Sequence, residues 1–191
     1  MNQPARIAVF LSGNGSNAEK IFSYFKDHSS IKVGLVLSNN SGAQGLQRAI
    51  KFNIPTRIFT RNQFRESDEV LIWLKEAEIT HIVLAGFLWM IPINLIKAFP
   101  NRIINIHPAL LPKFGGKGMY GIKVHEAVKA ANETQTGITL HEVNEKYDEG
   151  KIIFQTTCNV LPTDTPFLIA EKVQALEHTH YPPEIEKWVN Q

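Results

Sequence analysis

The stretch INIHPALLPKF, residues 104–114, places two polar side chains at the end of an apolar run. Asn105 and His107 are two positions apart, so in a strand both side chains lie on the same face. Asn donates a hydrogen bond to a carbonyl oxygen, and His donates a second bond or a proton, so the pair could stabilise the oxyanion of an acyl group under attack. Pro108 and Pro112 would stiffen the exit. The alternative is structural, with Asn105 satisfying loop backbone and His107 capping a sheet edge.

A carboxylate later in the chain could serve the same site. An imidazole that keeps its proton at neutral pH needs a negative charge nearby. Asp148 in NEKYDEGKII, residues 144–153, lies in a polar loop between two predicted strands, just before Gly150. The alternative is an ordinary turn aspartate. The sequence leaves the contact between Asp148 and His107 open.

A glycine-rich loop, LSGNGSNAE at residues 11–19, follows the first predicted strand and opens the first predicted helix. Backbone N–H groups and the positive end of the helix dipole would face an anion there. The acidic residue of a dinucleotide fingerprint is missing, because the second strand ends in Ser38 and two asparagines, so the loop suits a phosphate monoester better. The alternative is a plain strand-to-helix turn capped by Ser16 or Asn17.

Strands and helices alternate along most of the sequence. Short runs rich in Ile and Val predict buried strands at residues 6–12, 31–38, 56–60, 81–86 and 102–107. Helical spacing predicts helices at residues 18–28, 42–52, 67–78 and 121–132. Two later runs, 136–144 and 151–161, flank the polar loop and predict a hairpin at the sheet edge or in a small subdomain. The sequence TDTP marks the start of a closing helix at about Pro166.

This order predicts an α/β fold. Its doubly wound, mostly parallel sheet has a Rossmann-like N-terminal half, followed by a C-terminal strand pair and a closing helix. Ligands of such folds bind beyond the carboxyl ends of the strands. The glycine-rich loop and the pair Asn105 and His107 both follow strands, so we expect them at one edge of the sheet.

The composition limits the classes of function. Lys and Arg number 20 against 18 Asp and Glu, and no window gathers the basic residues of a nucleic-acid interface, so we expect no nucleic-acid partner. Cys158 is the only cysteine, and both HEAVK and HEVNE lack the second His of HExxH, so we expect neither a disulfide nor a metal site. No apolar run approaches 18 residues and no signal-peptide pattern occurs, so we expect no membrane association and a cytoplasmic location.

Four motifs in this order, LSGNGSN, LAGFLWMI, INIHPALLPKF and YDEGKII, resemble those of the glycinamide ribonucleotide formyltransferases, folate-dependent enzymes of purine synthesis. NIHPALLP is shared by the wider family of formyl-folate enzymes, whereas the glycine loop, the length and the late VQALEHTHYP select the glycinamide member. The resemblance implies one formyltransferase domain over residues 1–191, with a phosphate-binding half (about 1–100) and a catalytic and folate-loop half (about 101–191). It also implies a monomer or homodimer that uses 10-formyltetrahydrofolate as co-substrate, glycinamide ribonucleotide as acceptor and no metal.

The resemblance further implies roles for particular residues. Asn105 and protonated His107 would stabilise the tetrahedral oxyanion, and Asp148 would raise the pKa of His107 and relay the amine proton. The implied binding residues are Gly15, Ser16 and Asn17 for the substrate phosphate, Gln174 and Glu177 for the rest of the substrate, and Leu88, Trp89, Met90, Ile91, Asn105 and Arg65 for folate. Trp89 stands where the family commonly has arginine, and without the resemblance FLWMIP would be interpreted as core.

The segment after the catalytic strand departs from the family. Many members have a sequence close to FPGLHAHRQAL, whereas this chain has FGGKGMYGIKVHEAV, with an extra stretch and no proline after Phe114. The glycines at 115, 116 and 118 predict a mobile or tightly folded segment beside the site. We expect Gly116 or Lys117 to approach the substrate.

Two other functions stay open on the sequence. One is another formyl-folate enzyme, such as a deformylase that passes the formyl group to water, although the extra domains of those relatives would not fit in 191 residues. The other is a noncatalytic phosphate-binding module that uses the glycine loop alone. That module would leave NIHP and YDEG unexplained.

Overall fold

The computed structural model describes residues 4–191. The strands are β1 (Ala5–Leu11), β2 (Ile31–Ser38), β3 (Thr56–Ile58), β4 (His81–Leu84), β5 (Ile103–His107), β6 (Gln135–Glu142) and β7 (Ile152–Asn159). The helices are α1 (Ser16–Phe25), α2 (Gln44–Lys51), α3 (Arg61–Arg65), α4 (Glu69–Glu76), α5 (Ile93–Ala98), α6 (Ile122–Ala130) and α7 (Pro166–Val189). The five predicted strands before residue 110, the later strand pair and the closing helix are therefore confirmed.

The strands form one sheet in the order β3-β2-β1-β4-β5-β6-β7. Strands β1 to β5 pair in parallel, and β6 and β7 are antiparallel to their neighbours. This confirms the doubly wound, mostly parallel α/β fold. The hairpin of β6 and β7 extends the sheet edge, so the alternative of a separate subdomain was wrong.

Strand β1 shows why the central strands are apolar on both faces. Its residues alternate between two cores, because successive side chains point to opposite sides of a sheet. Ile7, Val9 and Leu11 pack with α1 and α7 on one side, whereas Ala8 and Phe10 pack with the aromatic residues around α3 on the other. Complete burial of each large side chain stabilises the fold by roughly 1.5–3 kcal/mol.

Two short helices, α3 and α5, were not predicted. They contain five and six residues, too few to show the period of 3.6 that reveals a helix in sequence. A local signal for α3 does exist, since Thr60 and Gln63 form a capping box in which each side chain bonds the other's backbone.

Helix α7 closes the fold over the sheet. Thr165 caps its start by accepting a hydrogen bond from the backbone N–H of Leu168, and Pro166 occupies the first turn, as TDTP predicts. The helix packs against α1, α6 and β6, and Tyr181 donates a hydrogen bond to the carbonyl oxygen of Leu84 at 2.8 Å. Within residues 4–191, none of the helices combines the length and apolar character needed to cross a membrane.

Candidate active site

A cavity of about 860 Å³ lies beyond the carboxyl ends of the parallel strands. Its wall comes from the loop after β1, the segment after β4, the end of β5, the start of α6, the loop between β6 and β7, and α7. All the predicted catalytic, phosphate-binding and substrate-binding residues line it, as do Leu88, Trp89, Met90 and Ile91. Arg65 is exposed at the end of α3 and is not among these lining residues.

Asn105, His107 and Asp148 meet at one end of this cavity. His107 Nδ1 lies 3.6 Å from Asp148 Oδ2, so the contact that the sequence left open is present. His107 Nε2 donates a hydrogen bond to the carbonyl oxygen of Phe114 at 2.8 Å. The chain beyond β5 therefore turns back onto its own strand end, and the histidine is held at both ring nitrogens.

The pKa of His107 shifts in the direction opposite to the one that the resemblance implies. Burial lowers the pKa of His107, which is 3% exposed. The Asp148 carboxylate and the Phe114 carbonyl oxygen act in the opposite direction, and the charge of His141 adds to the lowering. Asp148 thus acts on the pKa of His107 in the expected direction, but burial outweighs it and the pKa stays below its usual value.

Asp148 is held ionised by several donors. Burial raises its pKa, but hydrogen bonds from His141 and the backbone N–H of Gly116, with the charges of His107 and His141, bring the pKa below its ordinary value. The Gly116 bond to Asp148 Oδ2 is 2.9 Å long. A side chain at Gly115 would place a Cβ 2.5 Å from Leu111 Cδ2 and 3.3 Å from Asp148 Cβ. The glycines of this segment thus let it reach the carboxylate.

His141 is a member of the site that the sequence analysis missed. It lies opposite Asn105 in the pairing of β5 with β6, and its ring is 3% exposed. Nδ1 donates to the carbonyl oxygen of Glu142 at 2.9 Å, and Nε2 lies 3.2 Å from the amide nitrogen of Asn105. Asp148 Oδ1 is 3.5 Å from the same nitrogen. The strand-like alternation in ITLHE was the available signal, but only the register of β6 against β5 shows that His141 lies beside Asn105.

The glycine-rich loop forms the other end of the cavity. Gly15 is the residue before α1, with φ 76°, and no side chain caps this helix. The alternative of a cap by Ser16 or Asn17 was therefore wrong, and the first N–H groups of the helix stay free to meet an anion. A Cβ at Gly15 would lie 2.5 Å from Gly45 Cα, so this glycine also permits close packing of the loop on α2.

Helix α7 contributes two polar side chains beside that loop. Gln174 donates to Ser16 Oγ at 3.3 Å, and Asn17 donates to Glu177 Oε2 at 2.9 Å. Burial raises the pKa of Glu177 to about 7, against the effect of the Asn17 bond. The predicted phosphate-binding and substrate-binding residues are thus in direct contact, and Asn17 gives one amide hydrogen to Glu177 and keeps the other.

The segment Leu88–Ile91 forms an apolar wall between the two ends. The backbone N–H of Leu88 donates to Ser12 Oγ at 3.0 Å, and Ile91 is buried. The Trp89 ring packs edge-on against Phe59, with centroids 6.0 Å apart. Part of this segment is thus core, as the sequence alone suggested, and part faces the cavity.

The described residues 4–191 contain no group of three or more His, Cys, Asp or Glu placed to hold a metal ion. His107 and His141 both lie beside Asp148, so its carboxylate contacts two imidazole rings. Asn105 and the imidazole of His107 line the cavity, and donors in such an arrangement can stabilise a developing oxyanion.

The fold and this set of donors define the class of protein. The family described as formyl transferase matches residues 5–185, and the chain belongs to this family. The sheet and helices superpose on the crystal structure of phosphoribosylglycinamide formyltransferase from Anaplasma phagocytophilum with a TM-score of 0.88, at 34% identity, covering 96% of this chain and 86% of that one.

Other relatives carry the same description. The chain is 34% identical to the phosphoribosylglycinamide formyltransferase of Bacillus halodurans, with a TM-score of 0.87 and coverage of 97% and 96% of the two chains. It is 42% identical to the chloroplastic phosphoribosylglycinamide formyltransferase of Arabidopsis thaliana over 92% of this chain. The chain spans 62% of the length of that plant protein and 60% of the one from Vigna unguiculata.

Proposed function

We propose that this chain transfers the formyl group of 10-formyltetrahydrofolate to the amine of glycinamide ribonucleotide, a step of de novo purine biosynthesis. The observation that carries the proposal is the pair of donors at the end of β5. Asn105 and His107 line one cavity, with Asp148 Oδ2 3.6 Å from the imidazole. Membership of the formyl transferase family and likeness to proteins named for this reaction support it.

The two ends of the cavity suit the two ends of the acceptor. The free N–H groups at the start of α1 receive the phosphate, and Gln174 and Glu177, which contact Ser16 and Asn17, bind the adjoining ribose. The amine then extends to the end of β5. The formyl donor enters along Leu88–Ile91, which lines the cavity beside Asn105.

The chemistry follows from this arrangement. As the amine attacks, a C–N bond forms and the formyl oxygen becomes an oxyanion, which accepts a hydrogen bond from the Asn105 amide. The oxyanion also competes with the Phe114 carbonyl oxygen for the N–H at His107 Nε2. Its negative charge favours protonation of the imidazole, whose pKa burial lowers. The C–N bond to folate then breaks.

A proton must also move from the attacking amine to the folate nitrogen. Asp148 can accept it because the donors around the carboxylate keep the group ionised at neutral pH. Arg65 as a folate ligand, the cytoplasmic location and the choice between monomer and homodimer stay predictions.

The test is a release assay with the purified protein. It is mixed with 10-formyltetrahydrofolate, with and without glycinamide ribonucleotide, and free folate and formylated product are measured together. Release that requires the ribonucleotide and equals the product supports the transferase. Release without the ribonucleotide would indicate a deformylase, and no release in either mixture would leave the phosphate-binding module.

A further inference from the structure

One positive charge at the cavity wall has no role in the reaction described above. Among residues 4–191, the lysines and arginines that line the cavity are Lys117 and Lys146. Lys146 pairs with Glu149, with its Nζ 3.2 Å from Oε2. Lys117 is exposed and takes part in none of the ion pairs within residues 4–191. Its ammonium group is therefore available to an anionic ligand.

A tight turn carries Lys117. The backbone N–H of Met119 donates to the carbonyl oxygen of Gly116 at 3.1 Å, so Lys117 and Gly118 are the two central residues of a β-turn. The turn is anchored at its start, where the Gly116 N–H donates to Asp148 Oδ2 at 2.9 Å. A Cβ at Gly116 or Gly118 would have nothing within 4 Å. The space beside Lys117 is therefore open, and its long side chain can reorient towards a ligand.

This turn lies on the side of the sheet that carries the phosphate end. It connects Phe114 to α6, and both pack in the core to which α1 and α7 contribute. Helix α7 packs against α1 and against α6, and its Gln174 bonds Ser16 beside the start of α1. Lys117 and the glycine-rich loop thus face the cavity from one side of the sheet.

The second lysine belongs to the opposite side. Lys146 follows Val143, which packs in the other core together with Phe87 and Ile91. The apolar wall Leu88–Ile91, along which the formyl donor enters, adjoins that core. Lys146 is therefore on the folate side of the cavity, and Lys117 is on the acceptor side.

The phosphate end needs a cation that its own loop does not supply. A phosphate monoester carries about −1.5 to −2 charges at neutral pH, whereas a helix start offers only about +0.5. Arg48 lies behind the loop, but its guanidinium donates to Glu19 and to two oxygen atoms of Asn14. Arg48 is also absent from the cavity lining. The unpaired cation on this side of the cavity, within residues 4–191, is Lys117.

We propose that Lys117 binds the phosphate of glycinamide ribonucleotide together with the first N–H groups of α1. This rests on the proposed function. The backbone N–H groups give the hydrogen bonds their direction, and the ammonium group supplies the compensating charge. The phosphate does not change during formyl transfer, so the contact lowers KM and leaves kcat at saturation unaltered. The turn thereby favours phosphorylated amines over their unphosphorylated counterparts.

The test compares Lys117→Met and Lys117→Arg with a matched control, Lys146→Met. Methionine keeps a flexible apolar side chain and removes the charge. Lys117 is exposed, so its replacement should leave the unfolding temperature near that of the wild type. The control removes the other lysine of the cavity wall, on the folate side.

Each protein is assayed with glycinamide ribonucleotide and with the corresponding riboside, which lacks the phosphate. Lys117→Met should raise KM for the ribonucleotide about 10–100-fold, the effect of one lost hydrogen bond between charged groups. It should leave kcat for the ribonucleotide and KM for the riboside at their wild-type values. Lys117→Arg should recover most of the loss, and Lys146→Met should keep the wild-type KM for the ribonucleotide.

Three results would overturn the assignment of Lys117. The first is an unchanged KM for the ribonucleotide in Lys117→Met. The second is an equal rise of KM for the ribonucleotide and the riboside, which would mean a general disturbance of the cavity. The third is a rise confined to KM for 10-formyltetrahydrofolate, which would mean that Lys117 binds the carboxylates of folate instead.

Calorimetry with ribose 5-phosphate separates this inference from the broader proposal. The probe carries the phosphate but no amine, so its binding does not depend on formyl transfer. If the wild type binds it more tightly than Lys117→Met does but forms no formylated product, the phosphate contact is supported and the proposed function fails. If the wild type formylates the ribonucleotide and both proteins bind the probe equally tightly, only the assignment of Lys117 fails.

Discussion

The two ends of the cavity are built in different ways. The phosphate end comes from one continuous stretch, in which Gly15 turns the chain and the first residues of α1 present backbone N–H groups. The catalytic end joins β5, β6 and two loops, and it depends on Asn105 lying opposite His141. Backbone conformation makes the first site, whereas strand register makes the second.

This difference separates binding from catalysis. Backbone N–H groups at a helix start attract a phosphate equally in the ground state and the transition state, so they lower KM without raising kcat. The cluster around Asp148 matters most when charge develops on the formyl oxygen. Variants at the two ends should therefore separate in kinetics, because those at the catalytic end lower kcat and those at the phosphate end raise KM.

The largest effect is expected at the catalytic end. His107→Ala removes the imidazole donor and should lower kcat about 10²–10⁴-fold, the range for a lost acid–base group. KM for the ribonucleotide should change little, because the phosphate end is intact. Steady-state kinetics test this, with calorimetric binding as the control. A variant that keeps full turnover would remove His107 from the mechanism.

A smaller effect is expected at His141, which acts through Asn105. His141→Ala removes the ring whose Nε2 lies 3.2 Å from the Asn105 amide nitrogen and 3.5 Å from Asp148 Oδ1, so kcat should fall about tenfold. His141→Asn, which retains a polar side chain, should be less impaired. If the pH profile of kcat and its value are both unchanged in His141→Ala, the contacts of His141 with Asn105 and Asp148 are merely structural.

At the phosphate end, Gly15→Ala should raise KM and lower stability. The new Cβ would meet Gly45 Cα at 2.5 Å, and φ is 76°, so about 1–3 kcal/mol of stability should be lost while kcat at saturation is kept. Gly13→Ala is the matched control for stability, because a Cβ there has nothing within 4 Å. Denaturant unfolding compares them, and equal stability of the two variants would contradict the predicted clash.

An effect of similar size, on stability alone, is a pH dependence set by Glu177. The pKa of its carboxyl rises from 4.5 to about 7 on folding because of burial. Between these values the folded chain holds a proton that the unfolded chain releases, so the wild type loses stability as pH rises through this window. Glu177→Gln should lack this loss, gaining about 1–3 kcal/mol on the wild type between pH 5 and pH 8. Parallel stability curves would contradict a raised pKa.

The sequence predicts those parts of the molecule that depend on neighbouring residues. The apolar runs give the strands, the pattern TDTP gives the start of α7, and the alternation after β4 places Asn105 and His107 on one face. LSGNGSN predicts the loop before α1 but leaves open whether Ser16 or Asn17 caps the helix, and the structure shows no side-chain cap.

The remaining parts depend on long-range packing. His141 joins the site through the register of β5 with β6. The hydrogen bond from Gly116 to Asp148 forms because two loops that are far apart in sequence come together. The pKa of His107 depends on burial, which sequence spacing does not reveal. The resemblance implied that Asp148 raises this pKa, but it gave no indication of the desolvation that lowers it.

The most direct test of the catalytic cluster is a single-turnover measurement on Asp148→Asn with both substrates saturating. Asparagine keeps an oxygen for the Gly116 N–H and removes only the charge and the proton acceptor. The rate of formyl transfer should fall about 10²–10⁴-fold, while calorimetric affinity for glycinamide ribonucleotide stays near that of the wild type. An unchanged rate would show that the carboxylate beside His107 has no part in the reaction and would contradict this account of the site.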